Sequence, residues 1–242
     1  MAPRMPRVYL IRHGETEWSI NGRHTGVSDI PLTQNGETVM KNNAPLITGP
    51  GKLIDPKTLT HVIVSPRVRA QKTAELLFEH CKNEFDIKHW ETSEEVGEWK
   101  YGAFEGLHTH EIQKIRPGWK IWRDGCPSDD KHAGETAEEM QDRVDRVIEK
   151  IRNIHREAED RGCQGKSELS QKERRSLAES ADICIVSHGH FSRVFIARWC
   201  GFPLAAGTNF STDPGGLTLL GYQHGTLDEP SVLGVNWFTE PK

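Results

Sequence analysis

Short apolar runs alternate with polar, glycine-containing segments along this chain. Four runs predict buried strands, at residues 8–11, 62–64, 183–186 and 217–220, the last of them being the final strand. Three further segments predict helices, at residues 32–47, 65–81 and 191–199. We expect Ser65 to cap the second of these helices, with Pro66 in its first turn. Strands that alternate with helices indicate an α/β fold.

The clearest predicted helix follows Thr136. Apolar residues recur at helical spacing from Met140 to Ile154, which predicts a helix with one face packed in the core. Thr136 and Glu139 have the spacing of a capping box at the start of this helix. The next segment, residues 160–180, is polar and highly charged without periodicity, so we expect a solvated loop or a mobile insertion there.

Two of the predicted strands run directly into a histidine followed by a glycine. The first strand leads into Arg12, His13 and Gly14, and the third leads into His188 and Gly189. Glycine lets the backbone turn sharply and approach a ligand. Ligands of open α/β sheets bind beyond the carboxyl ends of the strands. If these two strands are parallel neighbours in one sheet, His13 and His188 face the same crevice.

The composition fits one globular domain spanning residues 1–242. The chain is 35% hydrophobic and 27% charged, and its length is sufficient for a sizeable core. The net charge of −4 argues against a general nucleic-acid binder, although a local basic pocket can still hold a small anion. No apolar run approaches the ~20 residues of a membrane helix, and the first residues do not resemble a signal peptide. We therefore expect a cytoplasmic protein, with a nuclear location also open.

The cysteine pattern argues against a disulfide framework and against a zinc site. There are five cysteines, an odd number, and none of them form a CxxC pair. Cys184 lies inside a predicted strand, where we expect a small buried hydrophobic side chain. We expect no metal and no other cofactor, because arginines beside His13 and His188 would repel a cation.

Three arginines lie close in sequence to the carboxyl ends of the predicted strands. Arg12 precedes His13, and Arg67 and Arg69 lie in the helix start that follows the second apolar run. Guanidinium groups bind phosphoryl oxygens in bidentate fashion and do not titrate. A histidine beside them is held neutral by the positive charge and can attack phosphorus. The pattern therefore favours phosphoryl transfer through a phosphohistidine.

The leaving oxygen of such a reaction needs a proton, and Glu98 is the candidate acid. Its aromatic neighbours in the sequence are expected to build an apolar wall beside the carboxyl group. Three nearby carboxylates, Glu94, Glu95 and Glu105, remain competitors because periodicity does not choose between them.

The remaining histidines have weaker signals. His24 lies in a polar loop, and lining the mouth of the pocket or having no role there are equal alternatives. We interpret His108, His110, His132 and His155 as ordinary surface residues.

Several motifs follow one another in a set order between residues 7 and 225. They occupy residues 10–18, 25–26, 65–70, 98–102, 134–136 and 187–189. This series resembles the signature of the histidine phosphatase superfamily, which contains the cofactor-dependent phosphoglycerate mutases. Within that superfamily, residues 119–126 are similar to a segment of the fungal sedoheptulose 1,7-bisphosphatase group.

The resemblance implies a particular architecture. We expect a three-layer α/β/α sandwich around a mostly parallel central sheet, the phosphoglycerate mutase-like fold. Residues 90–135 would form a lid over the carboxyl ends of the strands. In this lid, Trp119 and Trp122 would stack on a sugar or pack internally, and packing is the favoured interpretation for Trp119.

The resemblance also implies residue roles. His13 would be the phosphorylated nucleophile, Arg12, Arg69 and His188 would hold the phosphoryl group, and Glu98 would take the acid–base position. Further substrate contacts would be Ser19, Thr25, Gly26, Tyr101, Gly189, Arg193 and His224. One of the last two residues would hold a second phosphate.

The sequence departs from the mutase pattern at two places. Ser19 stands where mutases usually have asparagine, and the arginine pair that grips phosphoglycerate is not evident, since Arg116 and Arg123 stand singly. The segment between residues 199 and 217 is shorter than in the bisphosphatase group, which leaves the second-phosphate site and the sugar open.

These observations favour a metal-independent phosphatase of a small phosphorylated metabolite. The expected substrate is a sugar phosphate or bisphosphate such as sedoheptulose 1,7-bisphosphate. A phosphoglycerate mutase and a catalytically silent phospholigand-binding protein are the alternatives. We expect no nucleic-acid or membrane partner, and a homo-oligomer stays open.

Overall fold

A six-stranded sheet forms the centre of the molecule. The computed structural model describes residues 5–84, 89–162, 170 and 180–238. The strands are β1 (Val8–Arg12), β2 (Leu59–Val64), β3 (His89–Thr92), β4 (Asp182–Ser187), β5 (Leu217–Tyr222) and β6 (Pro230–Trp237). They lie in the order β3-β2-β4-β1-β5-β6. The two strands that end at the paired histidines, β1 and β4, are thus central neighbours.

Five of the six strands run in one direction, and β5 is the strand that runs against them. β3, β2, β4 and β1 pair in parallel, β5 is antiparallel to β1, and β6 is antiparallel to β5. The predicted mostly parallel sheet is confirmed. The prediction that residues 217–220 form the final strand is wrong, because β6 follows at the sheet edge. The edge strand mixes buried and half-exposed positions, so it lacks the continuous apolar run that marks β1 and β4.

Helices cover both faces of the sheet. They are α1 (Glu17–Asn21), α2 (Gln34–Ile47), α3 (Val68–Phe78), α4 (Thr109–Ile115), α5 (Ile121–Asp124), α6 (Ala137–Gly162) and α7 (Gly189–Trp199). Thr33 caps α2 by accepting the Gly36 N–H at 2.9 Å. The predicted capping box of α6 is present, with the Thr136 hydroxyl and the Glu139 carboxylate each accepting the other's backbone N–H.

The start of α3 differs from the prediction. Arg67, not Ser65, is its N-cap residue, and the helix begins at Val68. The backbone N–H of Val68 donates to the carboxylate of Asp29 at 2.7 Å. The Ser65 hydroxyl is turned instead toward His188. A tertiary contact therefore takes the side chain that local spacing assigned to the cap.

Alternating side chains of the strands feed two separate cores. Leu10, Ile63 and Ile185 face one cluster, which α6 and α7 cover. Ile11 and Val64 belong to the opposite cluster, which α2 and α3 cover. The alternation follows from the two-residue period of a strand. These two cores make the three-layer α/β/α sandwich, and Cys184 is buried in it as a free thiol.

The segment 90–135 is more than an insertion over the sheet. Its first residues belong to the edge strand β3. Farther along, Trp99, Phe104 and Trp119 join the core cluster beside α6 and α7. The Trp119 indole also donates to the Gly125 carbonyl at 2.8 Å, so this ring packs within the segment. Its role as a lid stays a prediction.

The first residues of the polar segment predicted at 160–180 are helical rather than loop. α6 continues to Gly162, and most of the remaining residues of the segment lie outside the described part of the chain. No helix among the described residues has the length and apolarity needed to cross a membrane.

Candidate active site

His13 directly follows β1 and is held by main-chain atoms. Its backbone N–H donates to the Ser187 carbonyl of β4 at 2.8 Å. Its ring Nδ1 lies 2.7 Å from the carbonyl oxygen of Gly14. A carbonyl can only accept, so Nδ1 of the neutral ring carries the hydrogen and Nε2 keeps its lone pair. The geometry thus presents an unprotonated ring nitrogen that can act as a nucleophile.

His188 lies beside His13, as the sequence predicted. β1 and β4 are parallel with Arg12 opposite Ser187, so both histidines leave the sheet at the same edge. Their ring centroids are 5.1 Å apart in an edge-on arrangement. His188 is fully buried, and its Nε2 is 2.7 Å from the Ser65 hydroxyl. The shared crevice inferred from two His-Gly sequences is therefore present.

Two arginines flank these rings. Arg69, in the first turn of α3, is 0% exposed and donates to the carbonyl oxygens of Thr25, Gly26 and Ser28. Arg12 donates through Nη1 to the Thr212 carbonyl at 2.7 Å. Main-chain oxygens satisfy part of each guanidinium group and fix its orientation. Both groups therefore approach the histidines as preorganised forks.

Arg67 is oriented differently. It forms an ion pair with the exposed Glu94, at 3.1 Å between Nη2 and Oε2, and donates to the Gly26 carbonyl. It therefore lies at the margin of the site, in keeping with the auxiliary role suggested by the spacing.

Three buried nitrogen atoms around His13 have no hydrogen-bond partner among the described residues. They are Nε of Arg12, Nε of Arg69 and Nδ1 of His188. Buried donors are ordinarily satisfied, and an unsatisfied one costs about 1–3 kcal/mol. With the ring hydrogen of His188 on Nδ1, a group rich in acceptor oxygens would satisfy all three. We define these four residues, Arg12, His13, Arg69 and His188, as the cradle.

Burial and the charges in the cradle keep the histidines neutral. Burial, together with the positive charges of Arg69 and Arg12, holds the pKa of His13 well below its ordinary value. Burial and the Arg69 charge lower the pKa of His188 in the same way. Because both pKa values are lowered, the rings stay unprotonated as the pH falls through the range in which a free histidine titrates. The nucleophilic lone pair of His13 is therefore available at neutral pH.

Glu98 is anchored at the amino-terminal end of α7. Its carboxylate accepts the backbone N–H groups of Trp99, His190 and Phe191 at 2.9–3.0 Å. The expected apolar wall is thus replaced by main-chain donors at the start of α7. The Trp99 indole points away and donates to the Glu135 carbonyl. Glu98 also lines the pocket above the cradle.

The three competing carboxylates are occupied elsewhere. Glu94 pairs with Arg67, and Glu95 pairs with Arg146 on the surface. Glu105 accepts the backbone N–H groups of Gly26 and Ser28. Of the four carboxylates, Glu98 is thus the one that lines the pocket, and its role as the acid stays a prediction.

A buried ion pair supports the segment that carries Glu98. Arg143 of α6 and Glu135 are both 5% exposed and form two hydrogen bonds of 2.8 Å. Arg143 also donates to the carbonyl oxygens of Gly97 and Glu98. The Glu135 carboxylate accepts the N–H of Lys100 at 3.2 Å. The pair thus holds the backbone on both sides of Glu98. Glu135 belongs to the motif at residues 134–136, and the structure gives this motif a supporting role that the sequence did not reveal.

An open pocket of about 510 Å³ lies above the cradle. Of the predicted substrate contacts, it is lined by Ser19, Thr25, Tyr101, Gly189 and Arg193. Its size is in the range of sites for small molecules. The Ser19 hydroxyl donates to the Thr16 carbonyl and accepts the Thr16 N–H, so it also closes the capping box of α1.

Gly26 supports the site from outside the pocket. Its N–H donates to Glu105, and its carbonyl accepts from Arg69 and Arg67. A Cβ at this position would lie 2.6 Å from the Trp99 carbonyl, so only glycine fits. The prediction that Gly26 contacts substrate is corrected to a supporting position beneath the arginines.

His224 is not part of this site. It lies in the turn after β5, is largely exposed and pairs with Glu229. β5 is antiparallel to β1, so the residues that follow it emerge at the opposite end of the sheet from His13. The sequence did not reveal this reversal of direction, and the prediction is wrong for that reason.

Several residues of the site were not expected from the sequence. The pocket is also lined by Arg23, His190, Thr208, Thr212 and Asp213. His190 had a signal, since it stands two positions after His188. The loop at residues 208–213 carried none. His24, for which the sequence left equal alternatives, does line the pocket.

Three further residues from the sequence predictions, Trp122, Arg123 and His155, lie outside the cradle. The Trp122 ring lies under the guanidinium of Arg193, 4.6 Å from its centroid, while Arg123 is exposed and pairs with Asp124. His155, expected at the surface, is 1% exposed and contacts the Tyr222 hydroxyl at 2.7 Å. Its burial lowers its pKa to about 3, and a histidine in this position is a core residue of α6.

Comparison with known proteins accords with this geometry. The family model of the histidine phosphatase superfamily (branch 1) matches residues 8–159 and 167–236. The chain belongs to the histidine phosphatase superfamily. At the sheet edge of this phosphatase, two neighbouring strands each end at a histidine, and two arginines lie beside them.

Alignments with known relatives cover almost the whole length of this histidine phosphatase. It is 34% identical to the acid phosphatase of Mycobacterium tuberculosis, over 100% of this chain and 98% of that protein. It is 29% identical to the sedoheptulose 1,7-bisphosphatase of Saccharomyces cerevisiae, over 98% of this chain and 94% of the yeast protein. A solved structure of an open reading frame from Mycobacterium tuberculosis has a TM-score of 0.71 and 29% identity, covering 96% of this chain and 98% of that one. The protein is a phosphatase, a hydrolase of phosphate monoesters.

Proposed function

We propose that this phosphatase hydrolyses a small phosphorylated metabolite, a sugar phosphate or bisphosphate, through a phosphohistidine on His13. The observation that carries the proposal is the set of three unpartnered buried nitrogens, from Arg12, Arg69 and His188, around the lone pair of His13. A phosphoryl group has acceptor oxygens for all of them and an electrophilic centre for the fourth residue.

The first step transfers the phosphoryl group to the enzyme. Nε2 of His13 attacks phosphorus, a P–N bond forms, and the P–O bond to the substrate breaks. Glu98 gives its proton to the departing oxygen, so the leaving group departs as an alcohol. Arg12, Arg69 and His188 bind the equatorial oxygens and neutralise charge that grows in the transition state.

The second step regenerates the enzyme. Water attacks the phosphohistidine, Glu98 takes up a proton from that water, and the P–N bond breaks. Inorganic phosphate leaves, and His13 returns to the neutral tautomer fixed by Gly14. The same carboxyl group thus acts as acid and then as base.

Arg193 is the proposed holder of a second phosphate. It lines the pocket, and its Nε and Nη2 are fixed by the carbonyl oxygens of Gly207 and Thr208. No described residue accepts from its Nη1. With His224 at the other end of the sheet, Arg193 is the candidate that remains, and a relative named sedoheptulose 1,7-bisphosphatase supports a bisphosphate. The expected cytoplasmic location, the expected lack of other partners and the open oligomeric state stay predictions.

Phosphate release from a panel of sugar mono- and bisphosphates tests this function. We expect turnover with several of them, and a phosphohistidine detected by ³¹P NMR after quenching in alkali. His13→Ala removes the attacking nitrogen, so phosphate release should fall by at least about 10³-fold. Turnover undiminished by this substitution would show that His13 is not the nucleophile.

The same assay addresses the mutase alternative. With 3-phosphoglycerate as substrate, both free phosphate and 2-phosphoglycerate are measured. We expect any phosphate release to exceed isomer formation. Isomer formation that outpaces phosphate release would replace the proposed hydrolysis by phosphoryl return to the substrate.

A further inference from the structure

Two histidines outside the cradle line the same pocket with opposite hydrogen-bonding character. The first is His24, whose Nδ1 lies 3.1 Å from the Leu107 carbonyl. That carbonyl can only accept, so Nδ1 of the neutral ring carries the hydrogen. Nε2 of His24 is therefore an acceptor. Burial lowers the pKa of His24, which keeps the ring in this neutral form.

The second is His190, whose Nδ1 lies 2.7 Å from the Tyr101 hydroxyl. The phenol is buried, and it makes no hydrogen bond to another described residue. A buried O–H ordinarily donates, so Tyr101 gives its hydrogen to Nδ1 of His190. The ring hydrogen of His190 then sits on Nε2, which is a donor. Burial and the charge of Arg193 hold the pKa of His190 well below its ordinary value.

Both Nε2 atoms are open to a ligand. Neither forms a hydrogen bond with a described residue, and neither is among the buried polar atoms that lack a partner, so each is accessible to solvent. The two rings lie close to parallel, with centroids 6.2 Å apart. One side of the pocket therefore presents one fixed acceptor and one fixed donor beside each other.

We propose that His24 and His190 select substrates whose phosphate-bearing carbon chain carries hydroxyl groups. A hydroxyl both donates and accepts, so it can satisfy His24 Nε2 and His190 Nε2–H. A carboxylate only accepts and would face the lone pair of His24, and an alkyl chain would leave both nitrogens unpaired. The proposal rests on the proposed function and names the substrate feature that this site reads.

The chemistry makes this selection substantial. A site built to hydrogen-bond a hydroxyl discriminates strongly against an analogue that lacks it, because its own polar atoms are left unpaired. Neutral histidines suit this task better than arginines do, since they add no attraction for a second anion. The pair is thus distinct in role from the cradle and from Arg193.

A matched pair of substrates tests the proposal. Glycerol 1-phosphate and propyl phosphate have the same carbon chain, with and without hydroxyl groups. We expect the enzyme to hydrolyse both, with kcat/KM at least about tenfold higher for glycerol 1-phosphate. In His24→Leu and in His190→Leu, this ratio should fall toward one, because the rate with glycerol 1-phosphate drops more than the rate with propyl phosphate.

Two further variants separate recognition from folding. His24→Gln and His190→Gln place a polar atom near the position of Nε2 and should restore part of the ratio. The exposed His110, which is not among the residues lining the pocket, provides the control His110→Leu, for which the ratio should equal that of the parent enzyme. Thermal midpoints of all variants report whether a loss reflects unfolding.

The outcomes distinguish this inference from the proposed function. Equal kcat/KM for the two substrates in the parent enzyme, or equal losses for both in the leucine variants, would overturn hydroxyl selection while leaving the phosphatase intact. No phosphate release from any substrate of the sugar phosphate panel would instead count against the proposed function.

Discussion

The cradle and the wall of the pocket around it differ in how they are built. His13 and His188 are almost completely buried, and each contacts a main-chain or hydroxyl group close to the sheet edge. His24 and Arg193, in the wall, are half-exposed and fixed by carbonyl groups of separate loops. The comparison teaches that the position of the paired histidines is set by the sheet, whereas the wall of the pocket is set by segments that pack on it.

Among the residues around His13, the largest effect is expected from the cradle arginine Arg69. Arg69→Met removes a preorganised fork, so kcat for every phosphate monoester should fall by about 10³-fold. Steady-state kinetics with two unrelated monoesters measure this loss. Arg67→Met is the control, since Arg67 pairs with Glu94 at the margin, and should cost less than about fivefold. Equal losses in the two variants would show that Arg67 contributes to activity as much as Arg69 does.

Glu98→Gln is expected to have the next largest effect. The amide cannot transfer a proton, so kcat should fall by about 10²-fold for substrates with alkyl leaving groups. The loss should be much smaller with p-nitrophenyl phosphate, whose leaving group departs without protonation. If both substrates lost activity equally, Glu98 would be a positioning residue rather than the acid.

Arg143→Lys tests the support beneath Glu98. Lysine keeps the charge but loses the fork that holds Glu135 and the backbone carbonyls, so we expect kcat to fall about tenfold. The loss should again be smaller with p-nitrophenyl phosphate, a signature that general destabilisation would not produce. Arg146→Lys, at the exposed pair with Glu95, should leave both rates unaltered.

Arg193→Met probes the wall and should have a smaller, substrate-dependent effect. Loss of one charge-assisted contact should raise KM for a sugar bisphosphate by about tenfold and change KM for the matching monophosphate less. His224→Ala is the control, because its side chain lies at the other end of the sheet. A change in bisphosphate KM caused by the His224 substitution would contradict that placement.

The smallest expected effect is that His13 and His188 do not take up a proton when the pH is lowered. Since burial and the arginines lower the pKa of His13 and of His188, neither ring should protonate as the pH falls through the range in which a free histidine titrates. Histidine side-chain NMR signals measure this directly. Protonation of His13 near pH 6.5 would mean that the cradle does not exert the field described.

The limits of prediction follow the same division between sheet and loops. The central strands could be read from the sequence because a strand buried on both faces is a continuous apolar run, as in β4. The antiparallel direction of β5 leaves no such mark, and this is why His224 was misplaced. His155 was misread because a single histidine on an amphipathic helix does not reveal which neighbour will cover it.

The sequence by itself determined the α/β architecture, the two histidines at the sheet edge, the arginines beside them and the family. These features depend on local patterns, since apolar runs, caps and turns act over a few residues. Only the tertiary structure decided that Glu98 rather than its neighbours faces the cradle, that Arg143 and Glu135 hold it there, and which ring nitrogens point into the pocket. Those choices depend on hydrogen bonds between residues far apart in the chain, and such contacts exist only once the layers have packed.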